Sequence, residues 1–472
     1  MFIILVLSSV LFFSSTTRKG TAENWPVLGK ESLAEVAIVE DHRVALEHWA
    51  ERGIRNAVLV NMDAHDDMRR VPPEEMAHLR AVYEGRERQY CSTDGRVPVT
   101  NGNFIHAAAK LGIVSKVIWV VPPAYDLFSD QGERFATLLK MYGFPNEDIR
   151  SFTRKGRRFV GEADGIPLVV CDSEDLPEVR EPLLLSVDVD YFPAASGEDL
   201  QIADAVKQAV GALFARGYAV RDTVVAYSVN GGFLDVSRRW VGDLVVDSLR
   251  IPGLIFQSEL PGRYALLQRA DLLLRAGRYG ELLDVLSPFV TEENAEPSLL
   301  VYAAFAHEGR GEMERSFRAA ERACRTDASY CYGLPQLGTL VLDEKGLAEA
   351  QRFFVRGYEL SPGMDAGQFR LAMALKEAGR LDDAITYFRI FRDCYGPFPV
   401  DFYLAETYLL KGDEASALGC YDRGRKELAR NPQAIVGFGD VQTIESAAVF
   451  YERKGLVAHA ASLRKNAQGR AN

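Results

Sequence analysis

Two stretches, Asp63-Ala64-His65-Asp66-Asp67 and Ser186-Val187-Asp188-Val189-Asp190, each follow an apolar run, Ala57–Val60 and Leu183–Leu185. Runs of this kind read as buried strands, and residues two apart on a strand share a face. Asp63, His65 and Asp67 are therefore expected to project together, as are Asp188 and Asp190. Four carboxylates beside an imidazole at two strand ends are costly without a cation, because like charges crowd one another where water is scarce. The economical expectation is a metal site.

Further apolar runs, Val36–Val39, Val117–Val121, Leu168–Val170 and Val224–Val229, alternate with helical stretches between residues 34 and 260. They are rich in Val, Ile and Leu without polar alternation, as in strands covered on both faces of a parallel sheet. An α/β domain with helices on both sides follows. Ligands of such sheets gather at the carboxyl ends of strands, where both acidic stretches fall. Ala37-Ile38-Val39-Glu40-Asp41-His42 is another strand ending in polar groups and adds His42. The candidate ligands are then His42, Asp63, His65, Asp67, Asp188 and Asp190. Oxygen-rich sites with a few imidazoles suit a hard or borderline ion such as Mn²⁺. Six ligands exceed the need of one tetrahedral ion and suit a pair able to activate a water.

Asp41-His42, then D-A-H-x-D, then S-x-D-x-D, in that order, resembles the arginase-like ureohydrolases across roughly residues 34 to 260. The resemblance implies a three-layer parallel sheet of the arginase/deacetylase type and two Mn²⁺ ions per chain. One ion would take His42, Asp63, Asp67 and Asp188; the other would take Asp63, His65, Asp188 and Asp190. Asn101-Gly102-Asn103-Phe104-Ile105-His106 resembles the family's substrate loop. On that analogy Asn103 contacts substrate and His106 protonates the leaving amine, while Asp67 accepts a hydrogen bond from the attacking water. The bland alternative has His106 only packing or capping the helix it starts.

The chain departs from the family where Tyr191-Phe192-Pro193 follows the last acidic motif and where a guanidinium-holding glutamate would stand. Ser228 aligns with that position, and Asp66 and Glu259 are the nearest acids. V-E-D-H (Val39–His42), N-F-I (Asn103–Ile105) and V-I-W-V-V-P-P (Val117–Pro123) resemble a divergent arginase-related group. Its bacterial members convert arginine side chains of precursor peptides to ornithine. The expected activity is therefore hydrolysis of arginine side chains in a peptide or protein, giving ornithine and urea. The alternatives are another C–N hydrolase of the same fold, such as a deacetylase, or an inactive repeat scaffold.

After Pro261 the pattern is helical throughout. Ser316, Ala350, Ala384 and Ala417 recur at spacings of 34, 34 and 33, followed four residues later by Ala320, Phe354, Phe388 and Tyr421. A small residue that lets two helices approach, with an aromatic one turn on, repeating near 34, is the tetratricopeptide pattern. Residues 24–260 are thus assigned to the hydrolase-like domain and 261–472 to an all-α, tetratricopeptide-like superhelical domain, whose repeats would hold a peptide or protein substrate.

A net charge of −11 argues against nucleic acid as a partner. The six cysteines, Cys91, Cys171, Cys324, Cys331, Cys394 and Cys420, form no C-x-x-C and are expected to be free thiols in a reducing compartment. Residues 1–23 carry an apolar leader whose core, Phe2–Phe13, is too short to span a bilayer. No basic residue precedes it and no A-x-A site follows. A cytoplasmic protein is expected, the alternative being export or membrane anchoring through residues 2–13.

Overall fold

The structure, a computed structural model, describes residues 25–84, 99–196, 200–291, 295–362, 367–395, 400–430 and 441–468. The apolar leader and Cys91 lie outside these residues, as does the side chain of Cys394. No described helix is long and apolar enough to cross a membrane.

The described strands form one sheet: β1 (Ala37–Val39), β2 (Ala57–Met62), β3 (Val114–Val120), β4 (Thr153–Arg154), β5 (Arg158–Ala163), β6 (Ile166–Cys171), β7 (Leu183–Asp188) and β8 (Val220–Ala226). Their order is β1-β8-β7-β2-β3-β6-β5-β4. All six expected strands are present, and all pair in parallel with their neighbours among the six. The sheet is nevertheless mixed, because β5 and β4 extend it antiparallel from β6. The hairpin between β5 and β6 turns on Asp164-Gly165, whose φ angles of 51° and 72° are both left-handed. Asp-Gly is the dipeptide that a tight hairpin turn prefers, so this was a readable signal.

Successive residues of the central strands enter opposite cores, which is why their runs show no polar alternation. Leu59, Leu184 and Trp119 face one core with Trp49, Phe104 and Phe135. Val60, Leu185 and Val120 face the other with Val206, Leu213 and Trp240. The sheet is therefore the middle of three layers.

The second core does not stop at the sheet's helices. It continues without a break through Tyr264, Leu267 and Tyr302 to Leu463. The two halves also share hydrogen bonds. Trp240 Nε1 donates to Tyr302 Oη at 2.9 Å, Arg238 Nε to Asp271 Oδ1 at 2.9 Å, and the Val236 amide to Gln336 Oε1 at 3.1 Å.

Six antiparallel helix pairs are described beyond residue 261: 262–275 with 279–290, 297–309 with 313–326, 333–345 with 347–360, 368–377 with 381–395, 400–410 with 414–430, and 441–453 with 457–468. Ser316, Ala350, Ala384 and Ala417 are each fully buried, as are Phe354, Phe388 and Tyr421. Gly311, Gly346, Gly379 and Gly412 turn the chain between paired helices with φ between 74° and 85°, which explains why glycine recurs there. The helical repeat domain is thus built as its period implies.

One expectation about the cysteines is corrected. Cys171 and Cys420 are free and buried, but Cys324 and Cys331 form a disulfide. Cys324 ends one helix, a short turn at 328–330 brings the chain back, and seven residues suffice to place the two sulfurs together.

Ala384 is fully buried, so Ala384→Leu is expected to cost about 1–3 kcal/mol through overpacking. Urea denaturation would register this as a lower midpoint. An unchanged midpoint would show that the position does not lie between packed helices.

Candidate metal centre

Register fixes the site. Val39 of β1 and Asp188 of β7 both pair with Ala226 of β8, and Met62 of β2 pairs with Val187. The carboxyl ends of these four adjacent strands are level, and all six candidate ligands sit on or just after them.

His42 Nδ1 lies 3.2 Å from Asp63 Oδ2, 3.2 Å from Asp67 Oδ2 and 3.2 Å from Asp188 Oδ2. It is buried and hydrogen-bonds to none of them. Its other nitrogen, Nε2, meets Ser186 Oγ at 2.7 Å, which fixes the ring and leaves Nδ1 to face the carboxylates. A second group forms beside the first: His65 Nδ1 lies 2.9 Å from Asp190 Oδ2 and 3.7 Å from Asp63 Oδ1. Asp190 Oδ2 is also buried without a hydrogen-bond partner. His42, Asp63 and Asp67 could hold one ion and Asp63, His65 and Asp190 another, so Asp63 is common to both. Asp188 stands with the first group, and its Oδ1 accepts the Asp190 amide at 3.1 Å.

The loop after β2 is tied down at each step. Asn61 Nδ2 donates to Asp63 Oδ2 at 3.2 Å, and the His65 amide to Asp63 Oδ1 at 2.7 Å. Trp119 Nε1 donates to the Asp63 carbonyl at 3.0 Å; Tyr125 and Tyr142 both donate to the Ala64 carbonyl, at 2.8 and 3.0 Å. Asp67 takes a left-handed φ of 50°, a conformation aspartate tolerates better than most residues. None of these supports has a signature in the local sequence.

The electrostatics of the groups on their own are those of a crowded anion cluster. Burial, then Asp188 and Asp63, push the Asp190 carboxyl up to about 8. Burial and Asp63 hold Asp67 well above the usual carboxylate range. Burial opposes ionisation of Asp63, but His42 and His65 outweigh it and bring the carboxyl below that range. Burial would lower both imidazoles, yet the carboxylates prevail: His42 is held well above its usual value, and His65 is pushed up to about 12 by Asp190 and Asp63. Protons shared among these groups do the work that cations do better. The donor set, two imidazole nitrogens and carboxylate oxygens without thiolate, fits Mn²⁺.

The remaining residues are placed differently from expectation. His106 opens the helix Phe104–Lys110 but does not face the carboxylates. The Val71 amide donates to its Nδ1 at 3.2 Å, and its Nε2 meets Asp164 Oδ2 at 3.0 Å. Burial pushes its pKa down, consistent with a neutral ring that accepts at one nitrogen and donates at the other. His106 thus ties the loop after β2 to the β5–β6 turn, with both ring nitrogens engaged there. Asn103 Oδ1 is engaged with the Thr100 amide at 2.8 Å, within its own loop. The loop still abuts the site, since the Ile105 amide donates to the Asp67 carbonyl at 3.2 Å. Ser228 Oγ donates to Asp188 Oδ2 at 2.7 Å and so orients that candidate ligand. It does so with φ of 54°, a left-handed backbone that costs a non-glycine residue about 1–2 kcal/mol. Asp66 is buried and pushed up to about 7 by burial, with Oδ2 accepting the Met68 amide at 3.0 Å. Glu259 is exposed.

Access is from the His65 side. His65 is 39% exposed, whereas Asp63 is fully buried. Phe233 meets the His65 ring edge-on at 5.2 Å, and Tyr142 does so at 6.4 Å. Phe233 is half exposed and belongs to the loop after β8. The helical repeats reach this loop: Tyr332 lies against Gly232, and Gln336 binds both Asp235 and Val236.

No protein-family model and no curated protein matches the chain. Among solved structures it is similar to crystal structures of MamA, at 18% identity over 36% of this chain and 94% of the other with a TM-score of 0.28, and at 17% over 37% and 91% with a TM-score of 0.29. It is also similar to YrrB, a TPR protein with an unusual peptide-binding site, at 18% identity over 35% and 85% with a TM-score of 0.26.

Asp63→Asn is expected to abolish binding of both ions, whereas Asp67→Asn removes one and leaves the group of Asp63, His65 and Asp190. Metal content after Mn²⁺ saturation, read by mass spectrometry, checks this; equal content in the two variants would refute a shared Asp63. Mn²⁺ at a hundredfold excess over its dissociation constant should stabilise the wild type by about 2.7 kcal/mol for each ion bound, visible as a rise in Tm.

Proposed function

We propose that this chain is a dinuclear manganese hydrolase of the arginase-like type, acting on arginine side chains in a peptide or protein. The observation that carries the reading is the pair of ligand groups sharing Asp63, each with one imidazole, at the level ends of β1, β8, β7 and β2. The sheet of six parallel strands between two helical layers is in keeping with an arginase/deacetylase fold.

Two Mn²⁺ ions held by these residues would supply the charge that lowers the pKa of a water and polarises the guanidinium carbon. Asp67 accepts a hydrogen bond from that water and so aims its lone pair. Ser186 keeps His42 oriented and Ser228 keeps Asp188 oriented. Water adds to the guanidinium carbon, the bond from that carbon to the side-chain nitrogen breaks, and the nitrogen leaves as the amine of ornithine with release of urea. Both protons of the water end on that nitrogen.

Two features favour a polypeptide over free arginine. No glutamate stands at the position of Ser228, and the repeats border the loop whose Phe233 faces His65. Incubation of Mn²⁺-loaded protein with arginine-containing peptides and with free arginine should release urea and ornithine from peptides alone. The engaged His106 favours one second reading, a scaffold that binds metal without turnover. Full loading with no urea from either substrate would select it.

A further inference from the structure

The loop that carries Ser228 is held by a residue with no place in the ligand set. Glu40, the first residue after β1, holds that loop through two of its oxygens: its carbonyl takes the Ser228 amide at 3.1 Å, and its Oε1 takes the amides of Val229 and Asn230 at 3.0 and 3.1 Å. Three consecutive amides converging on one residue hold Ser228 in its left-handed conformation, and that conformation points its hydroxyl at Asp188. Glu40 Oε2 is in turn paired with Arg239 at 2.6 Å.

Arg239 is only 12% exposed. Its guanidinium lies over the Tyr227 ring at 4.3 Å and over the Tyr330 ring at 5.6 Å. Tyr330 belongs to the helical repeats, inside the short segment closed by the Cys324–Cys331 disulfide, and its hydroxyl is fixed to Ser298 Oγ at 2.7 Å. A continuous series of contacts thus runs from the repeats, through Arg239 and Glu40, to Ser228 and Asp188.

We propose that Arg239 and Glu40 are positioning residues through which the helical repeat domain sets the metal affinity of the site. The proposal rests on the metal centre above and not on the arginine chemistry. Its physical basis is the strain at Ser228. A serine released from Glu40 relaxes to negative φ, its hydroxyl leaves Asp188, and the carboxylate loses the partner that orients it. Hydrogen-bonding partners of metal ligands typically govern affinity 10- to 100-fold. The effect should be selective, because Asp188 Oδ2 stands with His42, whereas Asp63, His65 and Asp190 form the other group.

The test is a two-step Mn²⁺ titration of the full chain by calorimetry, with the spin-coupled signal of a Mn²⁺ pair as a second readout. Arg239→Met is expected to weaken one step about tenfold or more and leave the other unchanged. Tyr330→Leu, distant from the ligands, should weaken the same step by less. Arg239→Met combined with Ser228→Ala should be no weaker than Ser228→Ala alone, since both act through one path. Should Arg239→Met fold poorly, Arg239→Lys and Glu40→Gln carry the same expectation. Wild-type affinity in these variants, equal loss at both steps, or multiplicative effects in the double variant would overturn the proposal. A wild type that binds no Mn²⁺ would overturn the metal centre and this proposal together, whereas a wild type that binds two ions beside an unaltered Arg239→Met overturns this proposal alone.

Discussion

Burial of negative charge is the constraint on which this structure turns. Asp63, Asp67, Asp188 and Asp190 are brought within a few ångströms of one another by four parallel strands whose ends are level, and all four are buried. Two carboxylates cannot both ionise cheaply in such surroundings, and four cannot without compensating charge. The imidazoles of His42 and His65 supply part of it by taking protons. What they leave uncompensated is what makes a cation the natural complement of these side chains. The β2 loop must also hold its shape against that repulsion, and hydrogen bonds from Asn61, Trp119, Tyr125 and Tyr142 do this from several sides.

The clustering of these side chains could be read from the sequence because a strand imposes its period of two on them. Ser186, Asp188 and Asp190 alternate with Val187 and Val189, and the alternation by itself predicts which face each occupies. The apolar runs announced the strands for a similar reason: a strand covered on both faces shows little polar alternation, which holds for β2, β3, β6, β7 and β8, whereas β1 lies at the edge of the sheet with Ile38 47% exposed. The repeat was equally plain, since only a small residue fits where paired helices approach, and Ser316, Ala350, Ala384 and Ala417 keep their period through otherwise divergent sequence.

Other roles depend on partners that the chain brings from far away, and no local pattern encodes them. His106 was expected to face the substrate because it follows Asn103 at a suggestive distance. It turns to Asp164 instead, 58 residues on, in the β5–β6 hairpin. Ser228 was aligned to a substrate-binding position, yet its nearest partner is the ligand Asp188. The edge strand β4 and its neighbour β5 carry polar residues and lack the unbroken apolar run that marks the others. Cys324 and Cys331 become a pair only because a turn follows the helix, which spacing alone does not reveal.

The helical repeats are not an appendage on a separate enzyme-like domain. An appended module would be joined by a polar linker and would keep its own core, whereas here one apolar core passes from the sheet's outer helices into the helix pairs, with Trp240 and Tyr302 hydrogen-bonded inside it. A shared core means that displacement of the first repeats must move Trp240, Val236 or Arg239, all of which lie within about a dozen residues of Ser228 along the chain. The loop after β8 is therefore bounded on one side by metal ligands and on the other by the repeats. Because Ser228 is strained, that loop has a lower-energy alternative to which it would go if either boundary yielded, and the packing of the repeats becomes one of the conditions under which the carboxylates keep their arrangement.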